Sequence, residues 1–278
     1  MTFNRRDDRT AGSRLSRSRK AAIIVGLALL TLPAAGYGLL LYGLERQTLK
    51  PQSARRASPA SAIMLAAAGG RKIAVFHLPA PDPEAYTILY SYGNLEELDG
   101  KVELLHAFRR HGYGVIGYDY EGFGSSEGEP SLSAALRDAD AVYRYLVHTA
   151  GVAPERIVAV GFSMGSGPAC YLADRYPLGG VVLEGGLASV LQVVIPWSNW
   201  PGDLYPNWRR LAASHVPALI FHGTNDEVIP YRNAEKNYRS ASGRKRLVTV
   251  PGATHRNIRE TLGEERYFQI LAEFFPRR

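Results

Sequence analysis

Residues 156–167 read Arg-Ile-Val-Ala-Val-Gly-Phe-Ser-Met-Gly-Ser-Gly. A β-branched run ends in Gly161-Phe162-Ser163-Met164-Gly165, and small residues continue into the start of a helical pattern. This predicts a strand, a sharp turn and a helix, with Ser163 at the turn. A hydroxyl held there stands above a sheet edge on strained backbone. A side chain two residues to either side would collide with the neighbouring strand or helix, so glycine fits both positions. The helix start favours a developing negative charge, and the Met164 N–H is placed to donate to an oxyanion. The pentapeptide alone is a weak signal in a chain with 28 glycines; its strand-turn-helix context gives it weight. The bland alternative is a simple strand-to-helix turn with an incidental serine.

Outward from this turn, short β-branched or aromatic runs alternate with longer amphipathic segments. The expected strands are Ile63–Ala67, Lys72–Leu78, Tyr86–Tyr92, Gly114–Asp119, Arg156–Phe162, Gly180–Glu184, Pro217–His222 and Arg246–Val250. The expected helices are Leu95–His111, Leu132–Thr149, Met164–Tyr176, Tyr231–Ser240 and Glu260–Phe275. Val181-Val182-Leu183 and Ala218-Leu219-Ile220-Phe221 are continuously apolar, as in parallel strands buried on both faces. The fold class is therefore α/β, a mostly parallel sheet with helices on both faces.

Serine alone is a poor nucleophile and needs a base beside it. Where a strand-turn-helix serine works in this way, the acid and then the histidine follow it along the chain. Ala218–Phe221 leads into His222-Gly223-Thr224-Asn225-Asp226, which puts Asp226 just beyond the carboxyl edge of the sheet. Leu247–Val250 leads into Pro251-Gly252-Ala253-Thr254-His255, at the same edge. Asp226 is the expected acid, with Glu227 and Glu184 as alternatives; a turn or capping role is its bland reading. His255 is the expected base: His215 precedes a strand at its wrong end, and His222 reads as structural. The loop after Thr87–Tyr90 should supply a second oxyanion donor, the Asn94 N–H or, next to it, that of Leu95.

The N-terminal part differs in kind. Residues 1–20 hold seven basic residues against Asp7 and Asp8, most of the chain's formal net charge of +7. The excess belongs to a tail and not to a folded face, which argues against nucleic-acid binding. Residues 21–44 are uncharged and apolar over about 24 positions, enough to cross a ~30 Å hydrocarbon core as a helix. Tyr37 and Tyr42 lie toward its far end. The expected organisation is a basic cytoplasmic arm (1–20), a transmembrane signal-anchor helix (21–44), a linker (45–61) and a catalytic domain (62–278) on the outer, periplasmic or extracytoplasmic, side of the membrane. A cleaved signal peptide is the competing reading. The one cysteine, Cys170, allows no intrachain disulfide and no cysteine-based metal site.

These pieces together resemble the α/β-hydrolase superfamily, and within it the subgroup that contains bacterial membrane-anchored hydrolases and eukaryotic protein depalmitoylases. The resemblance covers about Lys72 to Phe275 and includes Tyr118-Asp119-Tyr120-Glu121-Gly122-Phe123-Gly124-Ser125-Ser126-Glu127-Gly128, His222-Gly223-Thr224-Asn225-Asp226 and Gly252-Ala253-Thr254-His255. It implies a Ser163–His255–Asp226 triad, an acyl-enzyme and no metal or organic cofactor. A serine nucleophile argues against the members of the fold that use aspartate on halides or epoxides. One departure stands out: relatives usually carry His-Gly-Asn where this chain has Tyr92-Gly93-Asn94. Asp119, Gly122 and Gly124 read as structural.

Substrate signals are sparse. Leu187–Leu211, where a cap usually inserts, holds Trp197, Trp200, Tyr205 and Trp208. These aromatics could line an acyl pocket, shield the core or touch lipid. Tyr92, Trp197 and Trp200 are the candidate substrate-contacting residues. The expected function is hydrolysis of a carboxylic ester or thioester of a small or lipid-like acyl substrate. A serine peptidase of the aminopeptidase-like type, or a non-catalytic membrane partner protein, are the rivals.

Overall fold

The β-branched runs form the strands expected of them, and each apolar run sits where its pattern requires. Among the residues described by the computed structural model (33–46, 48–51, 58–195 and 201–276), eight strands make one sheet: β1 Ile63–Ala66, β2 Lys72–Leu78, β3 Thr87–Ser91, β4 Gly114–Tyr118, β5 Ile157–Phe162, β6 Gly180–Glu184, β7 Ala218–Gly223 and β8 Lys245–Val250. Their order is β1-β2-β4-β3-β5-β6-β7-β8. The β1–β2 and β2–β4 pairings are antiparallel and the others parallel. β3, β4, β6 and β7 are buried along their whole length, and β5 all but Phe162, which is why they read as continuous apolar runs; the edge strand β8 is half exposed and reads less clearly.

The helices are α1 (residues 33–46), α2 Val102–Arg110, α3 Leu132–His148, α4 Ser166–Arg175, α5 Val190–Val194, α6 Asn207–Ser214, α7 Arg232–Ser240, α8 Ile258–Leu262 and α9 Glu264–Phe274. Ser131 caps α3, its Oγ accepting the Ala134 N–H at 3.1 Å. Two expected helices come out differently. The one expected over Leu95–His111 begins only at a 3-10 turn, Leu98–Lys101, because Leu95 has a φ of 63°. The one expected over Glu260–Phe275 is split into α8 and α9 at Gly263, φ 86°. Helices α5 and α6 lie in the stretch read only as a possible cap.

The chain falls into two compact units, Met1–Tyr42 and Gly43–Arg278, and the sheet lies within the second. Of the expected membrane span, residues 21–32 lie outside the described residues; no helix among those described is long and apolar enough to cross a membrane. The expected linker is not free of the domain. Leu49 is buried, Glu45 accepts hydrogen bonds from the Ser133 N–H and hydroxyl, and the Ser58 hydroxyl donates to Asp119.

Asp138, on α3, is a fully buried acid away from the triad residues. Its Oδ2 accepts the Glu121 N–H at 2.8 Å, and its Oδ1 has no partner among the described residues. Burial pushes the carboxyl up to about 8, the Glu121 N–H pulling the other way. A raised acid contributes stability that is complete below its unfolded value, near 3.8, and is lost as pH climbs through about 8. Asp138→Asn keeps an acceptor for the Glu121 N–H without that penalty. The Tm difference between Asp138→Asn and the native protein should therefore shift in the variant's favour from pH 5 to pH 9 in differential scanning fluorimetry. A difference that stays flat over that range would refute the assignment.

Candidate active site

Ser163 follows β5 at a backbone φ of 52°, in the left-handed region. For a residue with a Cβ this costs on the order of 1–3 kcal/mol and needs support from the surroundings. The two flanking glycines allow it. A Cβ on Gly161 would lie 2.4 Å from the Gly165 carbonyl oxygen, and one on Gly165 would lie 2.0 Å from that of Ser91. The elbow, the start of α4 and the end of β3 are thus packed backbone to backbone. The Ser166 hydroxyl donates to the Ser163 carbonyl at 2.6 Å. Buried Asn207, from α6, donates to both Ser166 Oγ and the Leu187 carbonyl.

Three segments of chain converge on this turn. His255 Nε2 is 2.9 Å from Ser163 Oγ, and its Nδ1 is 2.8 Å from Asp226 Oδ2. Asp226 Oδ1 accepts the Val228 and Ile229 N–H groups at 3.0 and 2.7 Å, a turn that holds the carboxylate in one orientation. A carboxylate only accepts, so the proton on Nδ1 is assigned to the bond with Asp226, and Nε2 is left to accept from the serine. Burial alone would push the Asp226 carboxyl up. Hydrogen bonds from His222, His255 and the Ile229 N–H outweigh burial and hold it well below the usual carboxylate range. Glu184, the alternative acid, is committed elsewhere: it pairs with Arg259, whose Nε lies 3.0 Å from Oε1, and accepts from Tyr267. Among the described residues Glu227 accepts the His255 backbone N–H, at 3.4 Å.

The loop after β3 lies against the elbow. A Cβ on Gly93 would touch Ser163 Cβ and the Phe162 ring at 3.1 Å. Asn94 and Leu95 line a cleft of about 220 Å3 together with Glu96, Lys101, Phe162, Ser163, His255 and Arg256. Met164 is mostly buried in the elbow turn itself. A neighbouring pocket of about 150 Å3 shares the Phe162 and His255 walls and is lined also by Tyr90, Glu184, Ile258 and Arg259. Two of the acids here, Glu96 and Glu184, are neutralised in place. Lys101 lies 2.5 Å from Glu96, which also accepts the Gly93 N–H, and Arg259 covers Glu184.

Tyr92, an expected substrate contact, is corrected here. Its side chain is fully buried, edge-on to Tyr120, with its hydroxyl donating to Asp119 at 2.5 Å. Burial and then the Asp119 carboxylate push this phenol well above its usual range, so it keeps its proton and donates. Asp119 also accepts the Leu98 N–H, which ties both ends of the loop to one carboxylate. Trp197 and Trp200 lie outside the described residues. Tyr205 is buried, its hydroxyl on the Leu132 carbonyl, and shields the core. Sequence reasoning missed the cleft-lining Lys101 and Arg256, which no motif marks. It also missed Gly185, where a Cβ would stand 3.3 Å from both Asp226 and His255; the doubled glycine after β6 was the available signal.

The profile of the family described as serine aminopeptidase, S33, matches residues 83–210 and 206–262. The chain is 30% identical over 226 residues to alpha/beta hydrolase domain-containing protein 17B of Xenopus tropicalis, covering 80% of this chain and 77% of that protein. It is 32% identical over 183 residues to alpha/beta hydrolase domain-containing protein aho-3 of Caenorhabditis elegans, covering 65% of this chain but only 55% of the relative. Among solved structures, an esterase of Pyrococcus furiosus superposes with a TM-score of 0.65 at 14% identity, over 80% of this chain and 97% of that one. An esterase of Exiguobacterium antarcticum gives 0.59 at 18% identity, over 76% and 98%. These two likenesses speak to the fold, which is that of the α/β hydrolases. The family profile spans more than half of the chain, and the chain therefore belongs to the serine aminopeptidase S33 family and is a hydrolase of the α/β-hydrolase type.

Proposed function

We propose that the chain is a serine hydrolase that cleaves a carboxylic ester or thioester through Ser163, His255 and Asp226. The observation that supports this most directly is the unbroken relay from Ser163 Oγ through His255 to Asp226, with links of 2.9 and 2.8 Å. Ser163 Oγ bonds to the acyl carbon while His255 Nε2 takes its proton, and the carbonyl electron pair moves onto oxygen. The N–H groups of Asn94 and Met164 receive that oxyanion. Collapse breaks the bond to the leaving group, which departs as alcohol or thiol with the proton from His255. Water, deprotonated by His255, then releases the acid and restores the serine. Asp226 holds the imidazole in register and stabilises its charged form.

Aminoacyl amide hydrolysis is the second reading, favoured by the description of the matching family. The neutralisation of Glu96 and Glu184 weighs toward the ester. A free substrate ammonium needs an uncommitted carboxylate, and Glu96 and Glu184 are each paired with a cation. The apolar run 21–44 behind a basic arm supports a membrane-tethered enzyme with its catalytic domain on the outer side, and so an acyl substrate near lipid.

A fluorophosphonate probe should label the native protein and leave Ser163→Ala unlabelled; equal labelling of both would remove Ser163 from its role. p-Nitrophenyl esters of rising chain length should be turned over faster than aminoacyl p-nitroanilides, and the reverse order would favour the peptidase. His255→Ala and Asp226→Asn should each lower kcat/KM by roughly 10³-fold or more with Tm little changed. Near-native turnover by either variant would show that its assignment is wrong.

A further inference from the structure

The Asp226 carboxylate has a second histidine on it. His222, at the end of β7, is completely buried, and its Nε2 lies 2.8 Å from the Ile229 carbonyl oxygen and 3.2 Å from Asp226 Oδ2. A carbonyl oxygen can only accept, so the proton on this ring sits on Nε2 and points between the two oxygens. His222 Nδ1 is buried and without a partner among the described residues. The ring is therefore aimed by its Nε2 side alone, with Tyr231 edge-on to it at 5.8 Å. Asp226 Oδ2 thus receives one donor from each side, His222 and His255, while Oδ1 is held by the N–H groups of Val228 and Ile229.

We propose that His222 is a positioning residue for the hydrolytic reaction: its shared Nε2–H clamps Asp226 to the Ile229 carbonyl and so aims Oδ2 at His255. This rests on the Ser163–His255–Asp226 reading above. The Asp226 loop runs out from β7 and back into α7 with one side exposed, Val228 standing half out in solvent. Without the clamp, nothing from the strand itself holds the face of the carboxylate that meets His255. The clamp also limits how much negative charge Asp226 presents to the imidazole. Removing it loosens the aim of Oδ2 and leaves more of the Asp226 charge uncompensated beside His255, which favours the imidazolium. The other charged groups around His255 are the Glu184–Arg259 and Glu96–Lys101 pairs, Arg256 and Glu227; the polar contacts of His222 are to Asp226 and the Ile229 carbonyl. A change in the pH profile on altering His222 therefore reports the bond to Asp226.

The test uses the full chain and three variants. His222→Phe fills the space without a donor, His222→Gln offers an amide N–H at a similar reach, and His222→Met replaces the Phe variant should it fail to fold. Each is assayed on a p-nitrophenyl ester from pH 5 to pH 9, with Tm measured alongside. The apolar variant should lose roughly 10- to 100-fold in kcat with KM within about twofold, and the acid limb of its kcat/KM profile should move to higher pH. His222→Gln should recover most of the rate and return the limb toward its native position. An apolar variant with native kcat and an unmoved limb overturns the proposal. So do Phe and Gln variants that are equally slow with an unmoved limb, which would make His222 a packing residue only. Failure of the fluorophosphonate to label the native protein would instead bring down the triad and the clamp together, so the two failures are distinguishable.

Discussion

The strained backbone at Ser163 is the constraint on which the site depends. It exists only because two glycines let three backbones meet: the end of β3, the elbow and the first turn of α4. Close approach of main chain to main chain is stiff, since no rotamer change can relieve a clash between a Cβ and a carbonyl. The penalty of a left-handed serine is thereby offset by the packing of the central sheet, and the hydroxyl is held at one place above the strand ends. Ser166 and Asn207 extend that fixation to the loop after β6 and to α6.

Two buried carboxylates hold the loops that meet this turn, one on each side. Asp119 collects Tyr92, Leu98 and Ser58 and ties the loop after β3, its 3-10 turn and Ser58 to the end of β4. Asp226 collects Val228, Ile229, His255 and His222 and ties its own loop to the next one. Each burial would be costly for an isolated anion and is compensated by saturating the oxygens with donors. The presence of tyrosine at position 92 is explained the same way: its hydroxyl supplies a donor to Asp119, and its ring packs between Tyr120 and Phe123.

The cleft is small and edged with charge. Its Glu96 and Glu184 are internally paired; Arg256 stands at the rim beside His255, and Phe162 is tilted against the His255 ring at 5.1 Å. Lys50 reaches this region as well, its N–H donating to the Asn94 side chain at 2.8 Å. Lys50 thus belongs to the architecture of the site.

The sequence alone carried the fold class and the elbow, because both are local. Continuous apolar runs such as Val181–Leu183 encode burial on both faces of a strand, and Gly161 and Gly165 encode a turn that side chains would block. It also brought Asp226 and His255 to the same sheet edge, because each follows a strand that runs into its loop. It could not choose which partners a buried side chain finds. Tyr92 read as a candidate substrate contact, while its hydroxyl is spent on Asp119, 27 residues away. His222 read as merely structural because its contact with Asp226 depends on how the loop folds back. Glu184 remained a rival acid until Arg259, 75 residues later, took it. Such choices are long-range competitions among donors, acceptors and burial, and only the folded chain decides them.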